Sequence, residues 1–166
     1  MIRKILAPTD LSELSLAGVR HALNKARDQG AEVTIYHVVT IDEIRRLSYR
    51  LKHQLVRAGG FSNVLEAYLE LFRANLARVM EQNFGDLLPF VKTDERVELG
   101  SPDKSIVELA KTEEMDLIIM ATRGRGGLSR MLLGSVTEQV IRNAPCPVVA
   151  IPPNLAGVVA DRRSAA

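Results

Sequence analysis

Two rhythms of apolar residues run through this chain. Short, nearly continuous apolar runs alternate with longer stretches whose apolar residues recur every three or four positions. The first rhythm suits buried strands and the second amphipathic helices. Residues 3–8, with Ile5-Leu6-Ala7, predict a first strand ending in Pro8-Thr9-Asp10. Ser12 then suits an N-cap, and Gly30 a C-terminal stop, for a helix through Gln29 with Leu14, Ala17, Gly18, His21 and Ala22 as its apolar face. Glu32 to Val39 is rich in β-branched residues and predicts a second strand. Further on, residues 91–99, 116–121 and 148–151 predict three more strands. Gly100-Ser101-Pro102 opens a helix running to about Glu114, with Ser101 as N-cap, Pro102 at its first position and Ile106, Val107, Leu109 and Ala110 as its core side. Ser135 to Asn143 predicts the last helix, and Pro152-Pro153 stops the last strand.

Between the second and third strands the pattern is different. Ile41, Ile44, Leu47 or Ser48, Leu51 and Leu55 keep helical spacing, while Arg45, Arg46, Arg50, Lys52 and Arg57 occupy the other faces. Gly59-Gly60 breaks this piece. A long amphipathic helix follows from Asn63 to Phe84, burying Leu65, Tyr68, Leu69, Phe72, Leu76, Val79 and Met80, and Gly85 and Pro89 end it. Strands and helices thus alternate five times, which predicts an α/β fold with a parallel sheet and helices on both faces. One domain spans residues 1–153, with a helical insertion at about 41–60, and residues 154–166 form a flexible tail. The insertion leaves the ligand end of the sheet, so it is read as a solvated helix, a flap over a ligand or an interaction surface.

Candidate chemistry concentrates in Leu117 to Thr137, LIIMATRGRGGLSRMLLGSVT. An apolar strand runs into a glycine- and arginine-rich loop, and Gly134-Ser135 restarts the chain as a helix. Glycines let a backbone approach an anion, and a helix N-terminus offers unpaired N–H groups and partial positive charge. The segment therefore suits phosphate; a plain strand-to-helix connection is the alternative. No Gly-Lys-Ser/Thr ends the loop, so it is not a P-loop, and Ser129 stands where a dinucleotide fingerprint needs its last glycine. Ligands of parallel sheets bind beyond the strand C-termini where strand order reverses. If the first and fourth strands are neighbours, Asp10 faces this loop, where a carboxylate suits a ribose hydroxyl or an adenine amine.

Composition narrows the classes. A formal net charge of +2 argues against a polyanionic partner, and 4% aromatics without Trp argue against a base-stacking surface, so nucleic acid is not expected. No apolar run approaches the roughly 20 residues of a membrane span, and no signal peptide is evident. The single cysteine, Cys146, precludes an intrachain disulfide framework and suits a reducing, cytoplasmic setting. His37 is read as packed, His21 as a core residue and His53 as solvated; no spacing suggests a transition-metal site or a nucleophile with its base.

ILAPTDLS in the first strand, HVV ending the second and IIMATRGRGGLSRMLLGSVTEQVIRNAPCPVVAI together resemble the universal stress protein family, from Arg3 to about Pro152. The resemblance implies a five-stranded parallel sheet in the order 3-2-1-4-5, a Rossmann-like arrangement. ATP-binding members share Gly-x2-Gly-x9-Gly-Ser/Thr; here Ala121, Gly124, Gly134 and Ser135 align with it, Ala121 being the one departure. By the resemblance, Asp10 and the backbone of Val38 meet adenine or ribose, Pro8 and Thr9 shape the adenine end, and Met120, Ala121 and Arg123 line the ribose side. Gly124, Gly134, Ser135, Val136 and Thr137 hold phosphates. It implies ATP, or AMP or ADP, as ligand and a homodimer through the fifth strand, about Val148–Ile151. Mg²⁺ or Mn²⁺ would accompany the triphosphate to neutralise its charge. Hydrolysis would be slow at most. A dimeric interaction protein that binds no nucleotide and a hydrolase or nucleotidyl transferase of the wider superfamily are the alternatives.

Overall fold

The computed structural model describes residues 1–50, 61–122 and 133–152, with the side chains of residues 50 and 61–64 left aside. Five parallel strands form one sheet in the order β3-β2-β1-β4-β5. They are β1 (Lys4–Pro8), β2 (Glu32–Val39), β3 (Thr93–Leu99), β4 (Leu117–Ala121) and β5 (Val148–Ile151). The helices are α1 (Glu13–Gln29), α2 (Ile41–Arg50), α3 (Phe61–Phe84), α4 (Pro102–Thr112) and α5 (Ser135–Asn143). The order is the one the sequence resemblance implies.

Period-two alternation sorts the strand residues onto two faces. Ile5, Ala7, Val33, Ile35, Leu117 and Ile119 pack with Val19, Leu23 and Ala26 of α1 and Leu76, Met80 and Phe84 of α3. Leu6, Tyr36, Val38, Ile118 and Met120 pack with Ile106, Leu109 and Ala110 of α4 and Val140 of α5. β1, β2 and β4 are buried almost throughout because helices cover them on both sides. β3 is an edge strand in which Val97 alone is fully buried, so Asp94, Glu95 and Glu98 stay exposed and Arg96 is half-buried.

Helix ends follow local chemistry. The Ser12 hydroxyl accepts the Ser15 N–H at 3.3 Å, and Gly30 closes α1 with φ +67°, a conformation that glycine adopts without strain. At Gly18 α1 nearly touches the end of β4, since a Cβ there would stand 2.9 Å from the Ala121 nitrogen.

Some expectations need correction. The buried face of α1 is centred on Ser15, Val19, Ala22, Leu23 and Ala26, leaving Leu14 and His21 half-exposed. The sheet meets α1 along the stripe that carries Gly18, which rotates His21 outward; its Nδ1 bonds the Ala17 carbonyl at 2.9 Å. Ile41 is 52% exposed because α2 turns Ile44 toward the core instead. Ser101 holds the N-cap position of α4, but its hydroxyl donates to Asp103 Oδ1 at 2.7 Å and caps no backbone N–H. The third strand starts at Thr93 because a 3₁₀ turn, Leu88–Phe90, occupies the chain before it. Leu51, Lys52, His53, Leu55, Arg57, Gly59, Gly60 and the tail 154–166 lie outside the described residues.

Candidate functional site

β1 sends the chain to α1 on one face of the sheet, while β4 sends it toward α5 on the other. The strand ends part at that point, and a crevice opens between them. β2 deepens it by running on to Val39, past its last pairing with β1 at Pro8 and Tyr36. The result is a cavity of about 360 Å³ at the C-terminal end of the sheet. Pro8, Thr9 and Asp10 line it from the end of β1, Tyr36 and Val38 from β2, and Met120 and Ala121 from β4. Gly134, Ser135, Val136 and Thr137 bring the first turn of α5 to the same cavity, and Ser15, Thr40, Glu43, Arg46, Pro102 and Ile106 complete the wall.

Each chemical group is held by an identifiable contact. Asp10 Oδ1 accepts from the Ser12 N–H at 3.0 Å and from the Ser12 hydroxyl at 2.6 Å, so the turn before α1 orients this carboxylate. The Thr9 hydroxyl meets that of Ser15 at 2.9 Å and accepts the Leu11 N–H at 3.0 Å. Behind it, His37 is buried with Nδ1 2.9 Å from the Thr9 carbonyl oxygen and its ring against Phe72, a packed histidine. Tyr36 lies on the cavity floor. Its hydroxyl donates to Glu98 at 2.7 Å, and burial, reinforced by Glu98, pushes its pKa far above the usual phenol value, so it stays protonated.

The opposite wall is made of backbone. Gly134 is the N-cap of α5 and has no side chain to satisfy the first-turn N–H groups of Ser135, Val136 and Thr137. Its own N–H donates to the Thr122 carbonyl at 2.7 Å, which pins the helix start to the end of β4. The Thr137 hydroxyl donates to the Ala121 carbonyl at 3.0 Å, so its proton is engaged within the scaffold. Ala121 is not among the residues with positive φ, so an alanine fits where the family motif has glycine.

Ten of the twelve residues expected at the site therefore border one cavity; Arg123 and Gly124 lie outside the described residues. Tyr36, Thr40, Glu43, Arg46, Ser15, Pro102 and Ile106 had not been singled out for it. Tyr36 stands two residues before Val38 and so shares its face of the strand. Thr40-x2-Glu43 is a capping-box pattern that marks the start of α2. Among the described residues, no group of three His, Cys, Asp or Glu could hold a metal ion. Among them, too, no helix is long and apolar enough to cross a membrane. Cys146 is half-buried, and burial raises its thiol pKa, keeping it neutral.

Comparison with known proteins matches residues 1–152 to the model of the universal stress protein family. The universal stress protein MJ0531 of Methanocaldococcus jannaschii is 36% identical over 153 residues, covering 91% of this chain and 82% of that protein. The solved structure of MJ0577 has a TM-score of 0.71 at 30% identity, covering 92% of this chain and 96% of that one. A universal stress protein in complex with cAMP has the same fold, with a TM-score of 0.61 at 20% identity and coverage of 91% and 97%.

Proposed function

The chain belongs to the universal stress protein family, and from that premise we propose that it is an ATP-binding member, a dimeric stress or signalling module with at most slow hydrolysis. The cavity carries this reading. Its apolar floor of Val38, Met120 and Ile106 suits a flat heteroaromatic ring, and Asp10 at its rim suits a ribose hydroxyl or an exocyclic amine. The uncapped first turn of α5 suits a phosphate chain. The cAMP complex of a protein with this fold is consistent with an adenine nucleotide here. By the family resemblance, Arg123 would line the ribose side and Gly124 would hold phosphate.

Two hydroxyls of the walls support the reading of slow turnover. The Thr137 hydroxyl is engaged by Ala121, and Tyr36 is held protonated, so neither serves as a base. A divalent cation would be carried by the phosphate oxygens of the nucleotide, since no cage is built for it among the described side chains. We place the dimer contact at β5, a sheet edge whose Val149 is 43% exposed. The protein is read as cytoplasmic, with no nucleic-acid or membrane partner.

The test is to denature purified protein, identify released nucleotide by ion exchange, and titrate the nucleotide-free protein with ATP and Mg²⁺ by calorimetry. Stoichiometric adenine nucleotide or saturable micromolar binding supports the reading. Neither would leave the interaction-protein alternative in its place. Light scattering at micromolar concentration tests the dimer, and a monomer there rules it out.

A further inference from the structure

The wall that α2 contributes to the cavity has a charge pattern that the strand ends lack. Thr40, Glu43 and Arg46 stand three residues apart, so one side of this segment faces the cavity. Thr40 and Glu43 are bonded to each other. Glu43 Oε2 accepts from the Thr40 N–H at 2.9 Å and from its hydroxyl at 3.1 Å, and the Thr40 hydroxyl accepts the Glu43 N–H at 3.3 Å. This reciprocal cap fixes the first turn of α2, and with it the position of Arg46 one turn on. Arg45, beside it, is off the cavity and lies 3.4 Å from Asp42. Arg46 is exposed and makes no ion pair among the described residues.

The balance of charge gives Arg46 its meaning. Among the described residues, the cavity is lined by two carboxylates, Asp10 and Glu43, and by one cationic side chain, Arg46. A phosphate chain calls for cationic partners, and one helix N-terminus supplies only roughly half an elementary charge. A guanidinium presents a planar fork of donors that matches phosphate oxygens, and it stays charged at every working pH.

We propose that Arg46 is a ligand-binding residue that reads the phosphate charge of the nucleotide, so that affinity rises from adenosine to ATP through α2 as well as through α5. This rests on the adenine-nucleotide reading above and assigns the charge preference of that site to a helix outside the glycine-rich motif. Ordering a long exposed side chain opposes the gain, so the effect is moderate.

Calorimetry on the full chain with adenosine, AMP, ADP and ATP tests it, comparing the wild type with Arg46→Ala, Arg46→Lys and Arg45→Ala. Arg46→Ala weakens ATP about tenfold and AMP about threefold, and leaves adenosine within about twofold. Arg46→Lys recovers part of the loss for ATP, and Arg45→Ala changes nothing. An Arg46→Ala protein that binds ATP like the wild type overturns the assignment while leaving the nucleotide reading intact. So does an equal loss for adenosine, which would place Arg46 on the base, or an equal loss in Arg45→Ala, which would make the effect one of general charge. A wild type that binds none of the four ligands removes the nucleotide reading itself, and the role of Arg46 with it.

Discussion

The two ends of the sheet carry hollows of similar size and opposite chemistry. At the N-terminal end a hollow of about 280 Å³ is lined by Glu32, Lys92, Asp94, Arg96 and Glu113. All five charges are paired there. Lys92 reaches Glu32 at 2.6 Å, and Arg96 bonds Asp94 at 2.6 Å and Glu113 through both terminal nitrogens. Beside it, Asp116 accepts the main-chain N–H groups of Arg3 and Lys4 at 2.7 and 3.0 Å, and Lys4 Nζ donates to the Glu113 carbonyl at 3.0 Å. At the C-terminal end, α5 starts without a side-chain cap and Arg46 has no ion pair among the described residues. The Thr122 hydroxyl is buried there without a partner among the described residues. Buried polar groups are rarely left so. The contrast teaches that charge alone does not mark a site; donors left over after the fold has satisfied itself do.

The contrast can be broken experimentally, beginning with the largest effect. Gly18→Val forces a side chain into the backbone of Met120 and Ala121. Overpacking of this kind costs about 3 kcal/mol, read as a lowered urea midpoint with the m-value unchanged. An unchanged midpoint would mean that α1 can slide off β4 and that the C-terminal end is not rigidly built. Gly134→Val tests the donors themselves. Its φ of −74° admits a β-branched residue, so the fold survives while ATP affinity falls about a hundredfold, or ~2.7 kcal/mol, in calorimetry.

Arg96→Ala acts at the other end and has a smaller effect. Its partner Glu113 is about a third exposed, so solvent screening limits the loss of stability to about 1 kcal/mol, and ATP affinity stays within about twofold. A matching loss of affinity would mean that the two ends are coupled. The smallest effect is one of pH. Hydrogen bonds from the Arg3 and Lys4 N–H groups hold the Asp116 carboxyl below its usual range. A depressed folded-state pKa stabilises above the unfolded value, about 3.9, and that contribution disappears as pH falls through the folded value. Asp116→Asn therefore lowers stability slightly at neutral pH and flattens the acid limb below about pH 4, where the two curves converge. Parallel curves for the two proteins would show that this carboxylate does not tie β1 to β4.

Much of the architecture was legible along the chain. The start of α5 at Ser135 and the span of β2 follow from adjacent residues, because caps and strand patterning are local. The orientation of α1 was not legible, since Gly18 reads as a weak helix residue until β4 is seen packed on it. The site was half legible. A glycine-rich turn before a helix states its chemistry in its own backbone, but Arg46 looked like one of several solvated cations in a basic stretch.

By itself the sequence determined the element order, the parallel sheet and the family, and it marked Asp10 and residues 134–137 as chemically unusual. Periodicity, capping and motif spacing act over a few residues, so a linear reading captures them. Only the tertiary structure decided that Tyr36, Ile106 and the α2 wall border the same cavity as Asp10 and Gly134. It also decided which charges are paired: Arg96 meets Glu113 across 17 positions, whereas Arg46 meets no carboxylate among the described residues. Such pairings depend on where β3 and α4 come together, and no local rule along the chain encodes that distance.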